Sequence, residues 1–392
     1  MKGKRLALPK GQHWLAQFFQ GLGYLSIQGG ICFGLSHAAM QAIFVYHLRR
    51  FDYRLKLISF IVFKARSEVF KNNKTQEEIE RIIQEKIREQ FEKLSLEKRI
   101  DLLAFCDLVK VYQQIHHVPF LFEPGCAPVY QNAERTFPLA LSSQLEARGG
   151  ITKVDFFSGI YTKKELSLYF QGLSSFLNKP SCPYPVVLIL RNDHHAIQVS
   201  YDALLHGWIF LNPARLAIRF ADEDKIAQHV LAAFSSNGIA VFSTEIYVTE
   251  YNSKQERNQQ VEKNSEKMKC YLKIWKEGLT FKMLHRVSSE KAKCLDSHQV
   301  SWLHLAAKRG QVDLVEKLLK KGANPYQVTD RGRTSFTVAK GRGQVEVVRV
   351  LNKSQSFFKY RLGLFGIAMI KSNKVTLDSG IAYSSQVSAP PV

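Results

Sequence analysis

Residues 301–353 carry one pattern twice. SWLHLAAKRGQVDLVEKLLKKGANP (301–325) and TSFTVAKGRGQVEVVRVLNK (334–353) align at an offset of 33. Leu303 falls over Phe336, Ala306 over Ala339, Gly310 over Gly343 and Val312 over Val345. A period of this length confines the chain to stacked helical units, each burying its apolar face only against a neighbour. Two units are too few for a continuous core. The helical stretch 256–292 and the apolar stretch 356–371 are therefore expected to cap them, and FKMLHRVSSEKAKC is a place for a degenerate earlier copy.

Upstream the pattern is different. Residues 1–25 read as a short amphipathic helix, and an apolar helix follows from Cys32. Over 75–115, Thr75 stands three residues before Glu78, a capping box, and Ile79, Ile82, Ile83, Ile87 and Phe91 keep helical spacing. Residues 118–150 carry loop signals. A second capping box, Thr162 with Glu165, opens a helix that runs to about Leu177. The period then changes: PVVLILR, HAIQVSYD, WIFLNP, LAIRF and GIAVFSTEIYVT read as strands, with a helix before the last. Helices followed by an antiparallel sheet make the first 250 residues α+β. The expected division is 1–250, with a helical insertion at about 50–150, then a repeat module at 256–372 (clear repeats 301–333 and 334–353), then a polar, disordered tail at 373–392.

The chain of 392 residues has a net charge of +21, unevenly spread. From Tyr251 onward there are 26 Lys and Arg against 11 Asp and Glu. That basic third suits an anionic partner or membrane surface, but no specific nucleic-acid motif accompanies it. The six cysteines form no C-x-x-C and pair with no histidine at zinc-finger spacing, so reduced thiols and no metal or cofactor site are expected. The N-terminus lacks the features of a Sec signal. Gln28 to Leu48 holds no Asp, Glu, Lys or Arg, yet its glycines, Ser36, Gln41 and two histidines favour a buried helix over a membrane span.

Chemistry enters at Gln28-Gly29-Gly30-Ile31-Cys32-Phe33-Gly34. A glycine turn into a helix puts the Cys32 sulfur at a helix N-terminus, where unpaired N–H groups and the dipole favour the thiolate. Alone, Cys32 reads as one more buried cysteine. His195 opens a strand and Asn212 ends the next, so a meander brings them together. A cysteine on a helix with histidine and asparagine on neighbouring strands, in that order, is a nucleophile, a base and an orienting group. His194 is expected to face away, His37 to be core-edge, and His116 and His117 lack ligand partners. Cys126 sits in a loop without helix-start signals.

FFSGIYTKKELSLYF, VVLILRNDHHAIQVSYD and WIFLNPARLAIRF resemble the YopT-like papain-fold cysteine proteases of bacterial secreted effectors. Over roughly 25–250, the resemblance implies a papain-like fold and carries the catalytic roles onto Cys32, His195 and Asn212. Asn212 stands where many members have aspartate. Position 26, where the oxyanion glutamine is usual, is serine; Gln28 is a weak substitute, and the Cys32 N–H is the firmer donor. Trp302-Leu303-His304-Leu305-Ala306-Ala307 and GANP resemble the ankyrin repeat, with Ser335 and Thr337 as departures in the second copy. The whole is similar to ankyrin effectors of the Legionella type. Trp302, His304, Arg309, Arg331 and Arg333 are the expected partner-facing residues.

The resemblance implies an effector delivered by a dedicated secretion system into host cytoplasm or nucleus. There it would act as a cysteine protease or related hydrolase on a host protein chosen by the ankyrin repeats. A non-catalytic scaffold on the same fold stands against this. So does another thiol chemistry, such as deamidation, transglutamination, acyl transfer or removal of a ubiquitin-like modifier.

Overall fold

A computed structural model describes residues 12–24, 30–69, 75–117, 122, 133–179, 182, 185–202, 207–213 and 217–354. Five helices come first: α1 (Gln12–Gly21), α2 (Cys32–Phe44), α3 (Leu48–Ser67), α4 (Gln76–Glu92) and α5 (Leu96–Gln114). The Thr75–Glu78 capping box at α4 is present in full. Their apolar stripes meet in one core that includes Phe18, Leu35, Ile58, Ile87 and Phe105. Helices α3, α4 and α5 thus share a core with the Cys32 helix.

Two short helices follow, α6 (Ala133–Ala140) and α7 (Ser143–Ala147), within the stretch expected to be loop. Next come β1 (Ile151–Thr162), α8 (Lys163–Leu177), β2 (Val186–Arg191), β3 (Ala196–Asp202), β4 (Gly207–Asn212), β5 (Ala217–Ala221), α9 (Glu223–Phe234) and β6 (Ile239–Thr249). They form one antiparallel sheet in the order β1-β6-β2-β3-β4-β5. The expected α+β class and the five strands after residue 185 are present. β1 was not foreseen. Side-chain alternation sorts the sheet's two faces. Val186, Leu188, Leu190, Ile197 and Val199 bury against α8 and α9. Val187, Ile189, Ala196 and Tyr247 bury on the other side with Cys32, Phe33 and Met40 of α2.

The last elements are α10 (Lys254–Asn258), α11 (Asn264–Glu277), α12 (Leu279–Leu284), α13 (Ser289–Lys293), α14 (Trp302–Lys308), α15 (Val312–Lys320), α16 (Ser335–Gly341) and a helical run over 345–354. The period of 33 is visible in the backbone. Leu295 bridges Ser301 as Val328 bridges Thr334. Ser301 and Thr334 both close capping boxes, and Gly310 and Gly343 take left-handed φ values of 70° and 66°. α11 and α12 do not belong to this stack: Met268, Leu272, Trp275 and Leu284 bury into the sheet's core. The repeats are not a free appendage either, because Ile160 of β1 and Val241 of β6 share their core with Trp302 and Leu303.

No helix among the described residues is long and apolar enough to cross a membrane. The expected cap at 356–371, the tail at 373–392, Gln28 and Cys126 lie outside the described residues.

Gly34 sets the spacing of the Cys32 helix. A Cβ there would sit 2.1 Å from the Val109 carbonyl oxygen of α5. Backbone cannot yield as a flexible side chain does, so α2 or α5 must move. Gly34→Ala is expected to cost about 2–3 kcal/mol, read as a lower urea midpoint; an unchanged midpoint would show that the helices have room to separate.

Candidate active site

Gly30, at φ 85°, turns the chain into α2, and Cys32 is its first residue. All of α2 is buried. Two hydrogen bonds fix this end. The Gly34 N–H donates to Gln113 Oε1 of α5 at 3.0 Å. Ser36 Oγ donates to the Ala196 carbonyl at 3.1 Å, tying α2 to the start of β3. The Ala196 N–H in turn points at the Cys32 sulfur. The residue after His195 is therefore held to the Cys32 helix through both its carbonyl and its amide.

His195 leaves a turn shaped by Asn192, whose Oδ1 accepts from the N–H of His194 at 2.8 Å and of His195 at 2.9 Å. β3 and β4 pair with Gln198 opposite Leu211, which brings Asn212 alongside His195. His195 Nε2 and Asn212 Oδ1 are 2.8 Å apart. With that oxygen as acceptor, Nε2 carries the proton and Nδ1 keeps its lone pair, the form a general base needs. The expected meander thus joins His195 to Asn212, and Cys32 and His195 line one cleft of about 190 Å³. Phe33, Gln113, Asn192 and His194 line it too.

Burial dominates the electrostatics. It pushes the Cys32 thiol above its ordinary pKa, against the opposing pull of the Ala196 N–H, the Arg191 charge and the helix's own first N–H groups. The thiolate favoured by the helix terminus is outweighed by desolvation. Burial also lowers His195, while the Asn212 hydrogen bond raises it. Each is thereby biased to its neutral form, Cys32 to the thiol and His195 to the imidazole.

The repeats supply one wall of the cleft: Lys308, Arg331, Arg333 and Arg342 all reach it. Asp193, with its side chain 3% exposed, pairs with Lys308 at 2.5 Å and Arg333 at 3.0 Å, and its carbonyl accepts from Arg331 at 2.7 Å. Burial alone would raise Asp193, but Lys308 and Arg333 overcome it and keep the carboxylate ionised. Behind them Arg191 lies 4.3 Å over the Phe33 ring, and Glu245 pairs with Arg309.

The five residues expected to face a partner have partners within the chain. Trp302 is 1% exposed and donates from Nε1 to Ser158 Oγ of β1 at 3.1 Å. His304 is spent on the repeats, bonded to Ser301 and to the Gln327 and Arg333 carbonyls. Arg309, Arg331 and Arg333 are the ones that reach Glu245 and Asp193. Sequence reasoning did not single out Arg191, Asp193, Lys308, Gln113 or Asn192. Nothing in their spacing marks them, because the cleft joins segments far apart in the chain.

Two buried histidines make the fold acid-sensitive. His37 stacks on Tyr112, near Glu245 and Arg191; His285 bonds Tyr161, near Glu165, Lys276 and Lys291. Burial lowers each from 6.5 to about 4. Between those values the unfolded chain binds more protons than the folded one, so stability falls as pH drops from 6.5 towards 4. The loss approaches roughly 3 kcal/mol for each group. Urea unfolding across that window checks it; a flat profile would reject it.

Residues 303–351 match the ankyrin-repeat family (Ankyrin repeats, many copies). No curated protein and no solved structure matches the chain. The C-terminal segment carries ankyrin repeats, units that mediate protein–protein interactions.

Proposed function

We propose that the chain is a thiol-dependent hydrolase of the papain-like kind, acting on a protein through Cys32, His195 and Asn212. The observation that carries this reading is the His195 Nε2–Asn212 Oδ1 contact of 2.8 Å on the same cleft as the Cys32 sulfur. Nδ1 would take the thiol proton as the sulfur attacks a carbonyl carbon. The oxyanion would meet the Cys32 N–H, and His195 would return the proton to the leaving amine. Water, deprotonated by the same ring, would then cleave the thioester and release the acid.

The cleft favours an acidic segment as substrate. Arg191, Lys308, Arg331, Arg333 and Arg342 line it against the single carboxylate of Asp193. The setting implied by the YopT-like resemblance, an effector working inside a host cell, belongs to the same proposal. So does recognition of a host protein by the ankyrin face left uncovered by the sheet.

A scaffold without chemistry is the competing reading, and the buried, protonated Cys32 favours it. Labelling by a cysteine-directed peptide electrophile from pH 5 to 9, mapped by mass spectrometry, separates the two. Hydrolase chemistry requires Cys32 to be modified faster than the exposed Cys270 near neutral pH. Modification of Cys270 with Cys32 untouched would leave the fold as a binding surface.

A further inference from the structure

We propose a binding site for a divalent transition metal of the zinc class, formed by His194, His298 and Asp330. It lies where the His194–His195 turn meets the tips of two successive ankyrin repeats. The three side chains place their ligating atoms within 4.8 Å of one another. His194 Nε2 is 3.0 Å from Asp330 Oδ1, and His298 Nδ1 is 2.8 Å from Asp330 Oδ2. The two imidazoles lie almost parallel, 4.3 Å between ring centres and 12° between planes. Bonds of 2.0–2.1 Å in a tetrahedral zinc site put ligand atoms about 3.3 Å apart, so the separations suit an ion once the half-exposed His298 ring turns out of the stack to aim its lone pair at it.

A second observation separates this cluster from an ordinary hydrogen-bonded group. His194 Nε2 is buried and makes no hydrogen bond, although the carboxylate oxygen is so close. At 3.0 Å from Asp330 Oδ1, its ring is not aligned to donate to that oxygen. Two nitrogens and a carboxylate form a borderline ligand set suited to zinc, cobalt or nickel rather than to calcium or magnesium. Arg331 opposes a cation here, and Asp193 counters it. The backbone presents the ligands firmly: the His298 N–H donates to Asp296 Oδ1 at 2.9 Å, and the Asp330 N–H to the His298 carbonyl at 3.1 Å.

The consequence is mechanical. A bound ion would clasp the ankyrin tips to the residue preceding His195 and hold the basic wall over the Cys32 cleft. This inference does not depend on the hydrolase reading, since the clasp would exist in a scaffold as well.

The test titrates the full chain with Co(II), following visible absorption, and with Zn(II), measuring metal content after buffer exchange. The native chain is expected to take up one equivalent, show tetrahedral cobalt bands, and melt at a higher temperature with metal than without. Cys32→Ala should bind as tightly. His298→Ala and Asp330→Asn should bind at least tenfold more weakly. Their side chains are 43% and 42% exposed, so the variants should keep the native circular dichroism. No stoichiometric uptake by the native chain would overturn the proposal. Uptake that survives His298→Ala but is lost with Cys32→Ala would also overturn it, by placing the ion on the thiol–imidazole pair.

Discussion

With His195 replaced by alanine, labelling of Cys32 at pH 7 is expected to slow by about 10²–10⁴-fold. The reason lies in the burial of the thiol. Desolvation holds Cys32 in its protonated form, so the free thiolate is scarce at neutral pH and reaction depends on a base that takes the proton as the sulfur attacks. His195 is lowered by burial and is therefore neutral, with Nε2 engaged by Asn212 Oδ1. The native rate should rise with pH at a value at or below the ordinary histidine pKa and then level. In His195→Ala it should rise only as the thiol itself ionises, above its ordinary value, and the gap should close at high pH. Rate constants for the two proteins across pH 5–10 check this. A constant ratio at every pH would mean that His195 serves the fold and not the thiol.

Removing Asp193 is expected to loosen the joint between sheet and repeats. Asp193 is the anion facing Lys308 and Arg333, with Arg331 on its carbonyl. Breaking a buried pair by deleting one partner leaves the other charge uncompensated, at about 3–5 kcal/mol. Lys308 can relieve part of that cost. Burial already lowers it to about 7 even with Asp193 beside it, so without the carboxylate it can shed its proton. The destabilisation of Asp193→Ala should therefore be largest at pH 6 and smaller at pH 9. Lys308→Met should restore part of it, and a double-mutant cycle in urea measures the coupling. Equal losses at both pH values would place the charge on Arg333 instead. Trypsin should cut near Arg333 sooner in Asp193→Ala, since that arginine loses its carboxylate while Arg331 keeps the carbonyl of residue 193.

Much of this architecture is local and was open to a reading of residues. The capping boxes at Thr75 and Thr162 are local hydrogen-bond patterns, and both helices begin there. Strands β2, β3, β4 and β6 alternate or run apolar because each is buried on both faces. The 33-residue period needs only self-comparison. β1 escaped because its two faces meet different neighbours: Phe157 and Tyr161 enter the sheet's core, while Ser158 and Ile160 meet the repeats. Its alternation is therefore not apolar against polar, which is the signal a strand search relies on.

The candidate site divides in the same way. Cys32, His195 and Asn212 were legible because nucleophile, base and orienting group each need a residue type at the end of a regular element. The sequence by itself determined the repeat and the α+β class, and it marked those three as candidates, of which the fold joins His195 to Asn212. Tertiary structure alone decided which way Cys32 titrates, since the helix terminus is local but desolvation depends on everything packed around it. It also decided that Trp302 and Arg309 turn inward and that Arg331 and Arg333 reach back to Asp193. A repeat motif specifies how helices stack on one another, but not which remaining face finds a sheet to bury against. Long-range charge pairing settled that: Asp193 and Glu245 lie on strands or turns of the sheet, their cations on repeats more than 60 residues downstream, and only the folded chain brings them within reach.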